Sequence, residues 1–398
     1  RNVLLLYSAG YTTALPSYLK EDIEDLMSGW LPENLRGENV LLVYSHLPKT
    51  SYDLKTPTSP VLFRLYSDEY GNPVADTLVT YAPGTISASA LQMHNVLNYV
   101  KNAFPANSYG MIFSSHATGY LPAGYYNNSS SDNIWQAPRR RPGLSHPTPV
   151  PYIEPDFDPS LPMVKSIGQD QVGPSSSRVS YEMELTDFAE AIPMKLDYIL
   201  FDACLMGGIE VAYELAGKCD MIGFSQAEVL AEGFNYTTLA SHLLGNRPSP
   251  DAYSVCEDYF TQYDVQSGVY RSATISLVDC NNLEPVSEIC RTLFERYSLQ
   301  LHTMDPQNVQ RFYRSSKHWF YDLQSILENA GITDTEKKAL LEAIDGCILY
   351  KGATPSFMNE FYINTFSGFS MYLPSNGHAE LDKYYRTLKW NQATGLVK

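Results

Sequence analysis

The sequence predicts an α/β fold built on a mixed, mostly parallel sheet. Short apolar runs at residues 3–7, 40–44 and 109–113 are typical of buried strands, and the segments at 18–27 and 91–104 between them carry apolar residues at helical spacing. Such alternation places parallel strands at the centre of a sheet and helices on its faces.

The remaining elements extend this pattern. Residues 61–66 and 77–81 are predicted to form a hairpin at a sheet edge. An amphipathic segment at 181–192 leads into an apolar strand at 198–202, and strand-like segments follow at 221–225 and 273–278. Helical periodicity then dominates to about residue 347, and a last strand-like segment lies at 365–374.

A proline-rich insertion at 121–178 interrupts the pattern. It holds 10 of the 25 prolines and little sustained periodicity. Irregular stretches of this length inside a domain are commonly functional, so we expect this one to cover, occupy or regulate a crevice. We divide the chain into a domain at 1–280, which contains the insertion, and a mostly helical C-terminal region with a final strand at 281–398.

The composition excludes several classes of protein. A formal charge of −16 over 398 residues argues against a nucleic-acid partner. The six cysteines are too few for a dense disulfide framework, and none are spaced as in zinc or redox sites. No apolar run reaches the roughly 18 residues of a membrane span. The motifs of serine hydrolases, zinc peptidases and nucleotide-binding loops are absent.

A cysteine and a histidine each follow an apolar strand. Cys204 comes after the strand at 198–202 and before a segment with helical spacing, so we expect it on a strand-to-helix turn, where helix amides favour a thiolate. His116 follows the strand at 109–113. Because the carboxyl ends of parallel strands line a functional crevice, the sequence predicts a Cys204/His116 dyad.

Such a dyad has the parts that peptide hydrolysis requires. These are a thiolate nucleophile, an imidazole that protonates the leaving amine, and backbone amides that hold the oxyanion. Taken alone, a single cysteine after an apolar strand is more often a buried core residue, and a single histidine is similarly weak support.

Two stretches together are specific. Residues 115–122, SHATGYLP, and 201–207, FDACLMG, closely resemble the histidine and cysteine motifs of the clostripain family of cysteine peptidases. The resemblance extends to residues 3–7, 17–19 and 367–374, and so covers most of the chain. It implies a caspase-like three-layer sandwich with a mixed, mostly parallel sheet and a helical C-terminal extension, the fold shared with caspases, legumains and gingipains.

The resemblance assigns roles to site residues. Cys204 would be the nucleophile, His116 the general acid and base, and the amides of Ala117 and Cys204 the oxyanion hole. The family typically cleaves after arginine or lysine with acidic residues in its pocket, and Asp202 and Glu232 match these positions. Both acids are equally consistent with solvated surface carboxylates.

The resemblance also implies self-processing. Family members often cut themselves between the two motifs, where this chain carries Lys165, Arg178 and a run of three arginines. Exposed irregular segments are where cutting concentrates. We therefore expect self-cleavage in the insertion at Arg139, Arg140 or Arg141.

The remaining expectations concern cofactors, partners and location. Some family members use calcium, but no calcium-loop signature appears, so we expect no metal or other cofactor. We expect a monomer acting on protein or peptide substrates that contain arginine or lysine. The resemblance and a first residue other than methionine favour a bacterial protein that is secreted or attached to the cell envelope. The alternative is a catalytically silent caspase-like module that binds proteins or peptides at the envelope.

Overall fold

The strands are numbered in chain order. This computed structural model describes residues 1–12, 15–115, 117–125, 148–151 (backbone), 158–165, 170–245, 248–315 and 318–398. Their strands are β1 (Asn2–Ala9), β2 (Val40–His46), β3 (Val61–Ser67), β4 (Pro73–Thr80), β5 (Ser108–Ser114), β6 (Thr148–Pro151), β7 (Asp170–Val172), β8 (Val179–Glu182), β9 (Leu196–Asp202), β10 (Cys219–Phe224), β11 (Thr274–Asp279), β12 (Tyr321–Asp322), β13 (Ile348–Ala353), β14 (Ser356–Phe357), β15 (Phe361–Tyr362) and β16 (Ser370–Met371).

The main sheet is mixed, with its parallel strands at the centre. Its order is β13-β11-β10-β9-β5-β1-β2-β3-β4, in which the run from β10 to β2 is parallel and the pairs at both edges are antiparallel. The central strands are apolar and buried on both faces, whereas β4 is largely exposed. This burial is why unbroken apolar runs predicted the centre of the sheet.

Helices cover the two faces. They are α1 (Pro16–Ser28), α2 (Ala90–Ala103), α3 (Leu185–Ala191), α4 (Ile209–Leu215), α5 (Tyr236–Leu244), α6 (Ala252–Asp264), α7 (Glu284–Arg296), α8 (Ser298–Thr303), α9 (Leu323–Ala330), α10 (Asp334–Asp345), α11 (Ala379–Tyr385) and α12 (Lys389–Thr394). One group packs as α1–α5–α6, and a second joins α2, α3, α4, α12, α7 and α10. The result is the predicted three-layer α/β arrangement. Across the described ranges, no helix has the length and apolarity needed to cross a membrane.

The insertion contains more regular structure than its sequence pattern indicates. Its described strands β6 and β7 pair on either side of β8, in a small sheet of their own. Strands of three or four residues are too short to display a period of two, which explains why periodicity did not predict them.

The C-terminal region packs against the loop that follows Cys204. Its strand β13 extends the main sheet beside β11, and the Ser370 amide donates to the Gly207 carbonyl at 2.8 Å. The predicted last strand is short, because only Ser370–Met371 pairs with β12. The division of the chain near residue 280 stays a prediction.

Candidate active site

Two neighbouring parallel strands end side by side at the site. Ser114, the last residue of β5, lies in register with Asp202, the last residue of β9. The chain continues from these residues to His116 and Cys204, respectively. His116 lies outside the described residues, and the described Cys204 follows β9 by two positions.

The thiol of Cys204 is buried beneath the carbonyl of Lys165. Its Sγ lies 2.5 Å from the Lys165 carbonyl oxygen, and the Val229 amide donates to Sγ at 3.2 Å. Burial raises the pKa of the Cys204 thiol, the Glu228 carboxylate adds to this rise, and the Val229 amide opposes it. The sequence led us to expect that a helix N-terminus would lower the pKa of Cys204. This lowering is not seen, because α4 begins only at Ile209 and the thiol is buried.

The side chain of Lys165 fills a pocket beside the same thiol. Its ammonium Nζ lies 2.6 Å from Asp202 Oδ2, 3.0 Å from Asp22 Oδ2 and 3.1 Å from Ser114 Oγ. The Lys165 side chain is fully buried. Burial opposes its charge, but the two carboxylates outweigh burial and raise the pKa of Lys165.

Two further groups shape this pocket around Asp202. The Tyr236 hydroxyl donates to Asp202 Oδ2 at 2.5 Å. Gly233 has a φ of +63°, and a Cβ there would lie 2.4 Å from Asp202 Oδ2. Both the backbone conformation and the close approach therefore require glycine at this position.

The residues leading to Lys165 run as an extended strand against residues 229–231. The Lys165 amide donates to the Val229 carbonyl at 2.8 Å, and the Ala231 amide donates to the Met163 carbonyl at 2.9 Å. Between them, Val164 forms an antiparallel bridge with Leu230. A peptide that adds a strand to an exposed backbone edge is a common mode of recognition, with side-chain pockets supplying specificity.

The carboxylates at the Lys165 ammonium are those of Asp202, one of the two acids predicted for the pocket, and of Asp22. The substrate-binding roles of Asp202 and of Glu232, the other predicted acid, stay predictions. The exposed Glu232 lines a separate cavity of about 260 Å³ with Gln262 and Tyr270. Sequence reasoning missed Asp22, although a signal exists: it shares the buried face of α1 with Leu19 and Leu26, at spacings of three and four residues. A carboxylate on an apolar helix face needs a buried partner.

An ion pair fixes the segment beside Cys204. The Arg314 guanidinium donates two hydrogen bonds to the Glu228 carboxylate, from Nε to Oε2 at 2.7 Å and from Nη2 to Oε1 at 3.1 Å. Glu228 is buried and directly precedes Val229, the donor to the thiol. A bidentate pair of this kind fixes the geometry of both partners.

Other predicted features are only partly covered by the structure. Ala117 lines a small cavity with Ser115 and Met206, and the oxyanion-hole role of the Ala117 and Cys204 amides stays a prediction. The arginines at 139–141 lie outside the described residues. Among the residues that are described, no group of three or more His, Cys, Asp or Glu side chains is arranged to hold a metal ion. The expectation that no metal is needed stays a prediction.

Comparison with known proteins gives a family and a fold. The model of the clostripain family of peptidases matches residues 156–395. An inactive zymogen C11 protease from Parabacteroides distasonis is 24% identical, with a TM-score of 0.75 over 99% of this chain and 97% of that chain. A secreted C11 cysteine protease from Bacteroides thetaiotaomicron, in complex with an irreversible peptide inhibitor, is 22% identical, with a TM-score of 0.73 over 99% and 98%. No curated protein sequence matches the chain.

Proposed function

The chain belongs to the clostripain family of cysteine peptidases, and from this premise we propose that it cleaves peptide bonds after lysine or arginine through Cys204 and His116. The observation that carries the proposal is the position of Lys165. Its side chain fills a buried acidic pocket while its carbonyl oxygen lies at the Cys204 thiol. A residue held in this way is arranged as the residue before a cleaved bond.

The charge of the pocket supports a basic residue at this position. Asp202 and Asp22 are both buried, so a neutral side chain would leave two carboxylates without a cation in a dry site. The three protons of an ammonium match the three acceptors at Lys165, of which Ser114 Oγ is the third. We propose on this ground that lysine is preferred over arginine.

The reaction follows from these positions. His116 accepts the proton of the Cys204 thiol, and the thiolate adds to the carbonyl carbon of the basic residue. The resulting oxyanion accepts hydrogen bonds from the Ala117 and Cys204 amides. His116 protonates the leaving amine as the C–N bond breaks, which leaves a thioester on Cys204. Water, deprotonated by His116, then hydrolyses the thioester, which releases the carboxylate of the substrate and restores the thiol.

The chain's own Lys165–Ser166 bond is the first substrate in this proposal. Lys165 occupies the pocket in the uncut chain, so peptides from outside reach the pocket only after the segment ending at Lys165 has left. The bonds after residues 139–141 stay additional predicted sites of self-cleavage. We further propose that the protein is a bacterial monomer, secreted or attached to the cell envelope, that needs no metal. Activity that is retained in a chelating buffer would support the lack of a metal requirement, and gel filtration would test the monomeric state.

The test uses peptides that differ only in the residue before the cut. The wild-type protein, incubated until self-cleavage is complete, should hydrolyse lysine and arginine peptides. It should leave matched glutamine and glutamate peptides intact. Cys204→Ala should abolish hydrolysis and His116→Ala should nearly abolish it. Cys256→Ala, which removes another fully buried thiol, is the matched control and should remain active.

Two results would contradict the proposal. Turnover in Cys204→Ala within about tenfold of wild type would exclude Cys204 as the nucleophile. A folded wild-type chain that binds lysine peptides without hydrolysing them would favour the silent peptide-binding module.

A further inference from the structure

Helix α1 contributes residues to the surroundings of two alternate residues of the segment 163–165. Asp22 Oδ2 lies 3.0 Å from the Lys165 ammonium. Met163 packs against a small apolar cluster made by Leu15, Leu19 and Ala231. The same helix therefore supplies Asp22 to the basic residue and Leu19 to the apolar cluster against which the residue two positions earlier packs.

The geometry of the two elements explains this double contact. In an extended chain, residues two apart face the same side and lie about 6.6 Å apart. On a helix, residues three apart share a face and are offset by about 4.5 Å along the axis. Leu19 and Asp22 have this spacing, so the cluster that contains Leu19 and the carboxylate of Asp22 lie on the same side of the segment as Met163 and Lys165. Val164, between them, pairs with Leu230 and faces the other side.

We propose that Leu15, Leu19 and Ala231 form an apolar specificity subsite for the side chain two residues before the cleaved lysine. This inference rests on the proposed function and extends it, because it makes the preferred substrate an apolar–any–lysine sequence. The three residues of the subsite are fully buried. Met163 itself is half-buried against them. A charged side chain in its place would face three apolar side chains, none of which can form a hydrogen bond with it.

The subsite also favours a long side chain. Ala231 lies directly opposite Met163, and its side chain is a single methyl group, the smallest that packs against the methionine in this cluster. Unbranched methionine fills irregular apolar space with little strain. Methionine and leucine should therefore be preferred over alanine, and alanine over aspartate.

The inference is tested with self-cleaved enzyme and peptides X-Val-Lys-reporter, where X is Met, Leu, Ala or Asp. We expect kcat/KM for X = Met to exceed that for X = Asp by about tenfold or more, since a misfit in an apolar pocket costs this much. Ala231→Val narrows the subsite and should lower the Met-to-Ala ratio. Leu19→Ala enlarges it and should shift the preference toward X = Phe.

Leu26→Ala is the matched control. It removes the same atoms from the same buried face of α1, away from the subsite, so it should lower stability and leave the X ratios unchanged. Equal kcat/KM for Met and Asp in wild type would overturn the subsite while cleavage after lysine stands. The subsite would also be overturned if the ratios of kcat/KM among the X peptides in Ala231→Val and Leu19→Ala equalled those in Leu26→Ala. A wild type that cleaves no lysine peptide at all would overturn the proposed function and the subsite together.

Discussion

The ammonium of Lys165 lies 2.6 Å from the carboxylate of Asp202, and both side chains are fully buried. Asp22, on helix α1, adds a second carboxylate at 3.0 Å from the same ammonium. Removing one partner of a buried ion pair leaves an uncompensated charge and costs about 3–5 kcal/mol. The pocket therefore favours a cation, and in this structure that cation is Lys165 of the same chain.

The first prediction separates Asp22 from Glu232 as the second pocket carboxylate. Asp22→Asn should lower kcat/KM for lysine peptides, because a charge-assisted hydrogen bond is lost. We expect the activation free energy to rise by about 1–3 kcal/mol. Glu232→Gln should have the smaller effect, since its carboxylate is exposed and lines a separate cavity. A larger loss in Glu232→Gln would instead support Glu232 in this role.

The second prediction concerns the pH dependence of thiol reactivity. The negative charge of Glu228 raises the pKa of Cys204, and Arg314 compensates part of that charge. Arg314→Gln should therefore shift the profile of Cys204 alkylation by iodoacetamide toward alkaline pH in the self-cleaved enzyme. The double variant Arg314→Gln/Glu228→Gln removes both charges and should reverse the shift. An unchanged or acidic profile in the single variant would show that the pair does not act on the thiol.

The third prediction concerns stability. Glu210 at the start of α4 is buried, and burial raises its pKa to about 7 from an ordinary value of 4.5. The folded chain then binds this proton more tightly than the unfolded chain. The free energy of unfolding should therefore fall as pH rises from about 4.5 to 7 and level off above that range.

Glu210→Gln should remove this part of the pH dependence. The amide keeps an acceptor for the Tyr372 amide and the Tyr385 hydroxyl and carries no charge to desolvate. We expect the variant to be more stable than wild type at pH 8, by up to about 3 kcal/mol, with the difference vanishing near pH 4.5. Urea unfolding at the two pH values measures it. A variant that is less stable at pH 8 would contradict the assignment of the shift to burial.

The reach of sequence reasoning differs between the parts of this site. Cys204 was predicted because it follows an unbroken apolar run, which marks a central strand and its functional end. Asp202 was predicted from the resemblance of its motif to that of the clostripain family. Asp22 was missed because its partner Lys165 lies 143 residues away and no periodic pattern connects the two. Lys165 lies in a proline-rich stretch that contains several basic residues. The sequence does not distinguish among them, and only the structure shows that Lys165 enters the pocket.

The identity of the first self-cleaved bond tests the central claim most directly. Wild type, Cys204→Ala, Lys165→Gln and the matched control Arg178→Gln are incubated in parallel, and the termini of all fragments are read by mass spectrometry. Wild type and Arg178→Gln should yield fragments that end at Lys165 and begin at Ser166, whereas Cys204→Ala should stay intact and Lys165→Gln should lack this cut. A wild-type chain that hydrolyses lysine peptides while its Lys165–Ser166 bond stays whole would contradict the account.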